Sequence, residues 1–111
     1  MQNSKVVLCA ASAYEQKYYF NPDFSSLPKA IQDELKISCV LFTEETGGVI
    51  YMQFDQDGTL QIVTQAADND FDYDEIDSGL RIKKLREEKQ ELFEELELYY
   101  KVVFLGKKVD L

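Results

Sequence analysis

The sequence contains no histidine among its 111 residues. Histidine is the usual proton carrier near neutral pH and the commonest metal ligand, so its absence excludes Ser-His-Asp and Cys-His catalysis within one chain and most zinc sites. Phosphate-binding loops, nucleotide-type Gly-rich loops and CxxC motifs are also missing. We therefore expect a protein that is not an enzyme, and the sequence assigns no catalytic, cofactor-binding or metal-binding residue.

Cysteine is scarce as well. The two cysteines, Cys9 and Cys39, each lie in an apolar run, VVLCAA and KISCVLF. Two isolated cysteines do not make a disulfide framework, and a free thiol in an apolar run usually behaves as a small core side chain. Because a reactive thiol needs a partly exposed, electropositive setting, we expect both thiols to be buried and inert.

Basic residues are few: 12 Lys and Arg face 21 Asp and Glu, which gives a net charge of −9. An acidic surface repels nucleic-acid phosphate and anionic lipid, so neither is expected as a partner. The basic segment RIKKLREEK (81–89) does not change this expectation, since its charges scatter around a helix. No apolar run approaches the ~20 residues of a membrane span. The apolar stretch KVVLCAASA is also shorter than a secretory signal of about 15–30 residues, so a cytoplasmic protein is expected.

What the chain does contain is enough apolar surface for a core. Hydrophobic residues make up 45% of it, with seven Phe and seven Tyr, so residues 1–111 are predicted to form a single domain that folds without disulfides or metal. Residues 5–10 (KVVLCA) and 14–20 (YEQKYYF) are predicted to be strands. The segment NPDFSS that follows them is predicted to be a loop.

A first helix is predicted next, with Ser26 as its N-cap, Pro28 in its first turn and Gly47-Gly48 as its end. The segment 36–43 is apolar on nearly every side, so it could instead form a buried strand after a shorter helix. We favour the longer helix, because apolar residues recur at the three- and four-residue spacing of an amphipathic helix. These residues are Leu27, Ile31, Leu35, Cys39 and Phe42.

A hairpin follows, because the alternating runs 49–54 and 60–65 flank a turn that contains Asp57-Gly58. From Asp74 to Phe104 we predict a second, longer helix without interruption. One arc of it, about 120° wide at roughly 100° per residue, is apolar. The arc holds Ile82, Leu85, Leu92, Phe93, Leu96, Tyr99, Tyr100 and Val103, and the opposite side holds Glu87, Glu88, Glu91, Glu94 and Glu95.

The order strand, strand, helix, hairpin, helix predicts an α+β fold. Two helices, the C-terminal one long, would cover one face of a small antiparallel sheet. On the long helix, Glu97 and Lys101 have the spacing of a favourable ion pair.

An aspartate run, DNDFDYDEIDSG (68–79), precedes the long helix. Asp68, Asp70 and Asp72 imitate the start of an EF-hand calcium loop. The pattern then fails, since Tyr73 stands where the turn glycine belongs and Gly79 where the bidentate glutamate belongs. We favour a solvated acidic entry to the helix, stabilised by the helix dipole, over a weak divalent-cation site.

Two further acidic pairs could in principle carry acid–base chemistry. Asp55 and Asp57 are better explained as residues of the hairpin turn. Glu44 and Glu45 are better explained as a solvated helix end, because a catalytic acid would need burial or a like-charged neighbour to raise its pKa.

Four segments resemble a family of small bacterial proteins of unknown function from anaerobic Gram-positive species. They are LCAASAYEQKYYFN, LPKAIQDELKI, TEETGG and ELYYKVVFLG, and they span nearly the whole chain. The resemblance implies a bacterial origin and an intact domain. It implies no catalytic or binding residue.

The sequence favours a non-enzymatic protein–protein interaction module that self-associates as a homo-oligomer. The long amphipathic helix offers more apolar surface than a small sheet covers, and the tyrosine clusters YEQKYYF and ELYYK are of a type common at interfaces. The alternative is a regulatory protein that responds to a small ligand or to a divalent cation bound at the aspartate run.

Overall fold

The computed structural model describes residues 5–106, which form four strands, three helices and one turn of 3₁₀ helix at Pro22–Phe24. The predicted α+β fold is confirmed, although three helices stand where two were expected. The sheet is antiparallel throughout, in the order β2-β1-β3-β4. The strands are β1 (Val6–Ser12), β2 (Lys17–Phe20), β3 (Val49–Phe54) and β4 (Leu60–Gln65), and the helices are α1 (Lys29–Thr46), α2 (Glu75–Glu88) and α3 (Gln90–Val103).

The helices are arranged on one side of the sheet. Helix α1 lies across β1, β2 and β3, helix α3 lies against β4, and helix α2 contacts α1 and α3. Side chains from the four strands and from α1 and α3 belong to one hydrophobic cluster, which includes Leu35, Ile50 and Leu96. Helices α1 and α3 therefore cover the same face of the sheet.

The first strand is irregular, because its pairing with β3 shifts between Val7 and Cys9. A bulge of this kind places two residues opposite one, so Leu8 and Cys9 both turn into the core, where each is fully buried. Asn21 stabilises the bulge: its backbone N–H donates to the Leu8 carbonyl at 3.0 Å and its side chain donates to the Val7 carbonyl at 2.7 Å. The segment NPDFSS, predicted to be a loop, thus stabilises the bulge in β1 through Asn21.

The second strand is shorter than predicted. Residues 14–16 belong to the β1–β2 turn, in which Gln16 has a φ of 53°. Only Lys17–Phe20 pairs with β1. Residues 14–16, which the alternation of polar and aromatic side chains assigned to the strand, therefore form the turn instead.

The first helix confirms the favoured interpretation, since residues 36–43 are helical. The cap prediction is wrong: the helix begins at Lys29, Pro28 occupies the N-cap position, and the Ser26 hydroxyl instead hydrogen-bonds the Tyr99 hydroxyl. The helix ends at Gly47 as predicted. Gly48, also at positive φ, passes so close to its neighbours that a Cβ there would lie 2.7 Å from the Gln65 carbonyl oxygen and 2.7 Å from the Tyr73 ring.

The prediction of one unbroken helix over 74–104 is wrong. Lys89 leaves the helical conformation, with φ −113° and ψ 23°, and divides the segment into α2 and α3. The physical reason is packing, because α2 follows α1 whereas α3 turns toward β4. Side chains anchor the bend: Lys89 Nζ donates to Glu34 Oε2 at 2.7 Å, and Arg86 donates to the Leu60 carbonyl at 3.2 Å.

The predicted faces of this segment largely hold despite the bend. Four residues of the apolar arc are buried and three are half-buried, but Val103, which is 56% exposed, lies beyond the core. The five glutamates predicted to face solvent are exposed: Glu87, Glu88, Glu91, Glu94 and Glu95. Glu97 is half-buried, and its Oε2 accepts the Leu60 N–H at 2.8 Å in place of the pair predicted with Lys101.

A stack of aromatic rings joins the 3₁₀ turn, the hairpin and α3. The centroids of Phe54 and Tyr100 are 4.2 Å apart, those of Phe24 and Phe104 are 4.7 Å apart, and those of Tyr100 and Phe104 are 5.1 Å apart. Offset stacking of this kind adds roughly 0.5–1.5 kcal/mol per pair to simple burial. Helix α3 is therefore fixed to the hairpin through these rings.

Replacing Gly48 by alanine is expected to destabilise the protein by about 2 kcal/mol or more, because an L residue is strained at this φ and its Cβ meets a carbonyl oxygen. The matched control is Gly79→Ala in α2, where a Cβ meets nothing within 4 Å. Helix propensity there favours alanine by about 0.5–1 kcal/mol. Urea unfolding of both variants measures the difference, and equal stability of the two would contradict this account of Gly48.

Phe54→Ala is expected to cost about 3–5 kcal/mol, since it empties the centre of the aromatic stack. Phe71→Ala removes the same atoms from a side chain that is 92% exposed, and it should change stability by less than about 0.5 kcal/mol. The midpoints of guanidinium unfolding compare them. A cost for Phe71→Ala close to that of Phe54→Ala would show that the loop before α2 is packed in solution.

Candidate functional site

The aspartate run serves the structure of the loop and the helix start. Asp70 Oδ2 accepts a hydrogen bond from the Tyr14 hydroxyl at 2.6 Å, and this bond raises the pKa of Tyr14. The same hydroxyl accepts the Ala67 N–H at 2.9 Å, while Asp70 Oδ1 accepts the Asp72 N–H at 3.2 Å. The Asp70 carboxylate thus ties the loop to the β1–β2 turn.

Asp74 is the N-cap of α2, as the favoured interpretation of the run predicted. Its Oδ1 accepts the backbone N–H groups of Ile76 and Asp77, each at 3.0 Å. Within residues 5–106 no three Asp, Glu or Cys side chains are placed to hold a metal ion. Asp68, Asp70 and Asp72 are not brought together as the EF-hand comparison would require.

The other acidic pairs serve the hairpin turn and the end of α1. Asp55 Oδ1 accepts the N–H groups of Asp57 and Thr59, at 3.1 and 3.0 Å, which confirms its place in the hairpin turn. Hydrogen bonding with Asp55, and then with Thr59, lowers the pKa of Asp57 to about 2. Glu45 pairs with Arg81 at 3.1 Å, and its neighbour Glu44 is exposed.

The charges of the basic segment 81–89 are largely engaged in ion pairs. Arg81 pairs with Asp77 as well as Glu45, Lys84 with Glu88 and Lys89 with Glu34. The predicted scatter of these charges around the helix holds only in part, because Arg81, Lys84 and Lys89 line one cleft beside α1.

The face of the sheet that α1 and α3 leave open carries the least charge. The pairing register and the alternation of side chains place the row Tyr19, Ala10, Tyr51 and Val63 across it. We call this surface the open sheet face. Its apolar members are Val7, Ala10, Tyr19, Val49, Tyr51 and Val63. Its polar members are Ser12, Lys17, Gln53, Gln61 and Gln65.

None of these residues is Asp or Glu, although the chain carries 21 of them. Solvated faces of antiparallel sheets usually alternate with the core face as polar against apolar. Here Tyr19, which is 50% exposed, and the half-buried Val7, Tyr51 and Val63 stand where polar side chains are usual. On an acidic protein, a partly apolar sheet surface with no Asp or Glu at its strand positions has the composition of an interface.

Edge-to-edge pairing at β4 is hindered by the helices. The backbone N–H of Leu60 donates to Glu97, and its carbonyl accepts from Arg86. Both polar groups of this edge residue are therefore already bonded, which is one of the ways in which proteins protect sheet edges. The open sheet face, rather than this end of the β4 edge, is left for association.

The helices carry a second set of exposed apolar residues. Ile37 and Leu41 lie one turn apart on α1, and Ile76 and Leu80 lie one turn apart on α2. Charged residues surround them, among them the Glu45–Arg81 ion pair that links the two helices. Unlike the strand positions of the open sheet face, this surface carries acidic side chains among its apolar residues.

The two thiols are buried, as predicted. Cys9 and Cys39 are each 0% exposed, and their Sγ atoms are 3.8 Å apart. The hydrogen bond with Cys9, together with burial, raises the pKa of Cys39. The Tyr18 hydroxyl lies beside them with no hydrogen-bond partner among the described residues, and burial raises its pKa as well. Sequence alternation indicates that Tyr18 points inward but not that its hydroxyl is left unsatisfied.

No helix within residues 5–106 has the combination of length and hydrophobicity that crossing a membrane demands. Comparison with protein families matches residues 5–108 to a family of unknown function, DUF6145. No curated protein matches the chain, and no solved structure matches it.

Tyr18→Phe is expected to stabilise the protein by about 1 kcal/mol, because it removes a buried hydroxyl that has no partner and keeps the ring. Tyr19→Phe is the matched control, and it should leave stability unchanged because the neighbouring ring faces solvent. Thermal unfolding of the two variants decides the point. Destabilisation by Tyr18→Phe would mean that this hydroxyl does make a hydrogen bond in solution, with Cys9 as the nearest acceptor.

Proposed function

We propose that this chain, which belongs to the family of unknown function DUF6145, is a non-enzymatic protein-interaction module that self-associates through its open sheet face. The observation that carries the proposal is a half-apolar sheet face whose strand positions hold no Asp or Glu, in a chain of net charge −9. The Asp55 carboxylate reaches the margin of this face, where its Oδ2 accepts a hydrogen bond from Gln61 at 3.3 Å. Two copies would stack face to face about the two-fold axis that is usual for homodimers.

Electrostatics favour this face over the others. Two copies with a charge of −9 repel each other, and the repulsion is strongest where carboxylates of both meet at close range. At physiological salt the Debye length is about 8 Å, so charges on the far, helical side of each copy are largely screened. Approach through the open sheet face keeps the exposed glutamates of α3, such as Glu94 and Glu95, on the outside.

The size of the face sets the strength of the association. Four strands spaced about 4.8 Å apart and about six residues long at roughly 3.3 Å per residue give a flat area of roughly 400 Å² per copy. Stable interfaces bury about 800 Å² per partner, so the dimer is expected to be weak and dependent on concentration. Its two sheets would pack about 10 Å apart, with their strands close to parallel in direction.

The contacts at the centre of the face suit self-complementary packing. Tyr51 lies on the inner strand β3 between Ala10 of β1 and Val63 of β4, and its hydroxyl accepts a hydrogen bond from Gln65. Gln53 and Gln61 hydrogen-bond each other beside it at 3.3 Å. Tyrosine rings beside small and β-branched side chains supply apolar area, while the bonded amides leave little unmatched polarity at this part of the face.

The non-enzymatic part of the proposal is supported by the acidic residues themselves. Asp55, Asp70 and Asp74 each hold backbone or side-chain donors of their own loops, and the chain has no histidine. Two free thiols in the core fit the reducing conditions of the cytoplasm, which is where we place the protein.

Sedimentation velocity from about 10 µM to about 1 mM tests the proposal. The wild-type chain should pass from monomer toward dimer, and Tyr51→Glu should remain monomeric because it places a carboxylate at the centre of the open sheet face. Leu41→Glu is the control: it adds the same charge to a residue that is 51% exposed on α1, and it should dimerise as the wild type does. Raising NaCl from about 0.02 to about 0.5 M should strengthen association, since salt screens the net repulsion.

Circular dichroism and thermal unfolding must show that Tyr51→Glu is folded, and Tyr19→Glu at the edge strand provides a second probe on the same face. A wild-type chain that stays monomeric at about 1 mM would refute the proposal. Dissociation by Leu41→Glu without dissociation by Tyr51→Glu would instead assign the interface to the helices.

A further inference from the structure

A cleft of about 840 Å³ opens between the end of the β1–β2 hairpin and the middle of α1. Its walls include the small residues Ala11, Ala13 and Gly47, together with Val40 and the ring of Tyr18. Small-molecule sites usually measure about 300–1,000 Å³ and combine apolar walls with a few polar groups. The cleft therefore has the size and the walls of a site for a small molecule.

Two lysines line this cleft: Lys17 lies at the end of the open sheet face, beside the hairpin turn, and Lys36 lies across the cleft from it. Lys17 comes from the edge strand β2 and Lys36 from α1, and neither forms an ion pair or a hydrogen bond with any residue in 5–106. Most basic side chains elsewhere in that range are engaged, as Lys29, Lys84 and Lys89 are with carboxylates. In a chain with almost twice as many acids as bases, two unpaired cations that face one cleft mark it as a place for an anion.

The hydroxyl groups of the cleft differ in what they can offer. The Ser12 Oγ accepts the Glu15 N–H at 3.2 Å, which leaves its O–H free to donate. The Thr43 hydroxyl is already used, because it donates to the Val40 carbonyl at 3.0 Å. Ser12 therefore adds one neutral donor to the two ammonium groups.

One acid, Glu44, also lines the cleft, and its carboxylate opposes an anion. The balance of two cations against one carboxylate favours a small ligand with a compact double negative charge. Lysines act as point charges toward such groups, as they do toward phosphate. The ring of Tyr18 and the side chain of Val40 provide the surface on which an apolar part of the ligand would lie.

We propose that this cleft binds a small organic phosphate, with Lys17, Lys36 and Ser12 holding the phosphate and Tyr18 and Val40 holding the organic group. The site is separate from the Asp68–Asp74 segment, and it shares Ser12 and Lys17 with one end of the open sheet face. It gives the protein a ligand that its overall charge would otherwise repel.

Phenyl phosphate is a suitable probe because it joins a dianion to a flat ring. Titration followed by NMR chemical shifts should show binding to the wild-type chain with a Kd of about 1 mM or tighter, localised at residues 11–18 and 36–47. Inorganic phosphate and phenol each supply half of the interaction and should bind at least about fivefold more weakly.

Substitutions distinguish specific binding in the cleft from nonspecific attraction of the anion to surface lysines. Lys17→Gln and Lys36→Gln should each weaken phenyl phosphate about five- to tenfold. Lys83→Gln removes another exposed lysine, on α2 and away from the cleft, and should change nothing. Glu44→Gln should strengthen binding by removing the opposing charge. All four side chains are exposed, so these variants are expected to fold.

Absence of any shift at about 10 mM phenyl phosphate would overturn the proposal. So would equal weakening by Lys83→Gln, or weaker binding after Glu44→Gln. If inorganic phosphate binds as tightly as phenyl phosphate, the role given to Tyr18 and Val40 is wrong.

Discussion

Packing all the sheet-covering helices on one face is the constraint on which the rest of this structure depends. A four-stranded antiparallel sheet has two faces, and α1 and α3 bury the same one through residues such as Cys39 and Leu96. The bulge in β1 increases that burial, since it turns Leu8 and Cys9 inward together. The opposite face is left with the alternate residues of each strand. The identity of those residues therefore determines which partners this face can contact.

The same constraint explains the bend at Lys89. The segment 86–91 (REEKQE) consists of good helix formers, so nothing in its local propensity predicts an interruption. A straight helix of this length would have to lie along α1 and also reach β4 and the aromatic stack around Phe54, and it cannot do both. Tertiary contacts at Arg86 and Lys89 therefore override propensity, as they often do where two packing directions compete.

Features that depend on neighbouring residues were predictable from the sequence. The hairpin around Asp57-Gly58, the stripe of α1 that includes Leu35 and Phe42, and the acidic entry to α2 at Asp74 all rest on spacing within a few residues. Features that join distant segments were not predictable. The bonds from Asn21 to the bulge and from Glu97 to Leu60 link positions 14 and 37 residues apart, and no local pattern marks them.

The candidate surfaces divide in the same way. The outward positions of the hairpin follow from alternation, so the absence of Asp and Glu at these positions could be predicted from the sequence. These positions are Val49, Tyr51 and Gln53 on β3 and Gln61 and Val63 on β4. That α1 and α3 leave these positions uncovered could not be predicted from the sequence, because it depends on which face of the sheet the helices pack against. The pairing of Lys17 with Lys36 across a cleft needed still more, because 19 positions of chain separate them and only the docking of α1 on β2 brings them together.

Low β-propensity alone does not account for the distribution of charge. Asp and Glu are generally depleted in strands, so their absence from β1–β4 is partly expected. Threonine suits both a strand and a solvated face, however, and four of the outward positions hold Val7, Tyr19, Tyr51 and Val63 instead. Keeping apolar groups there exposes a patch that favours aggregation unless something covers it. The exposed glutamates of the helical side limit that risk, because they allow contact through the open sheet face while opposing contact through the helices.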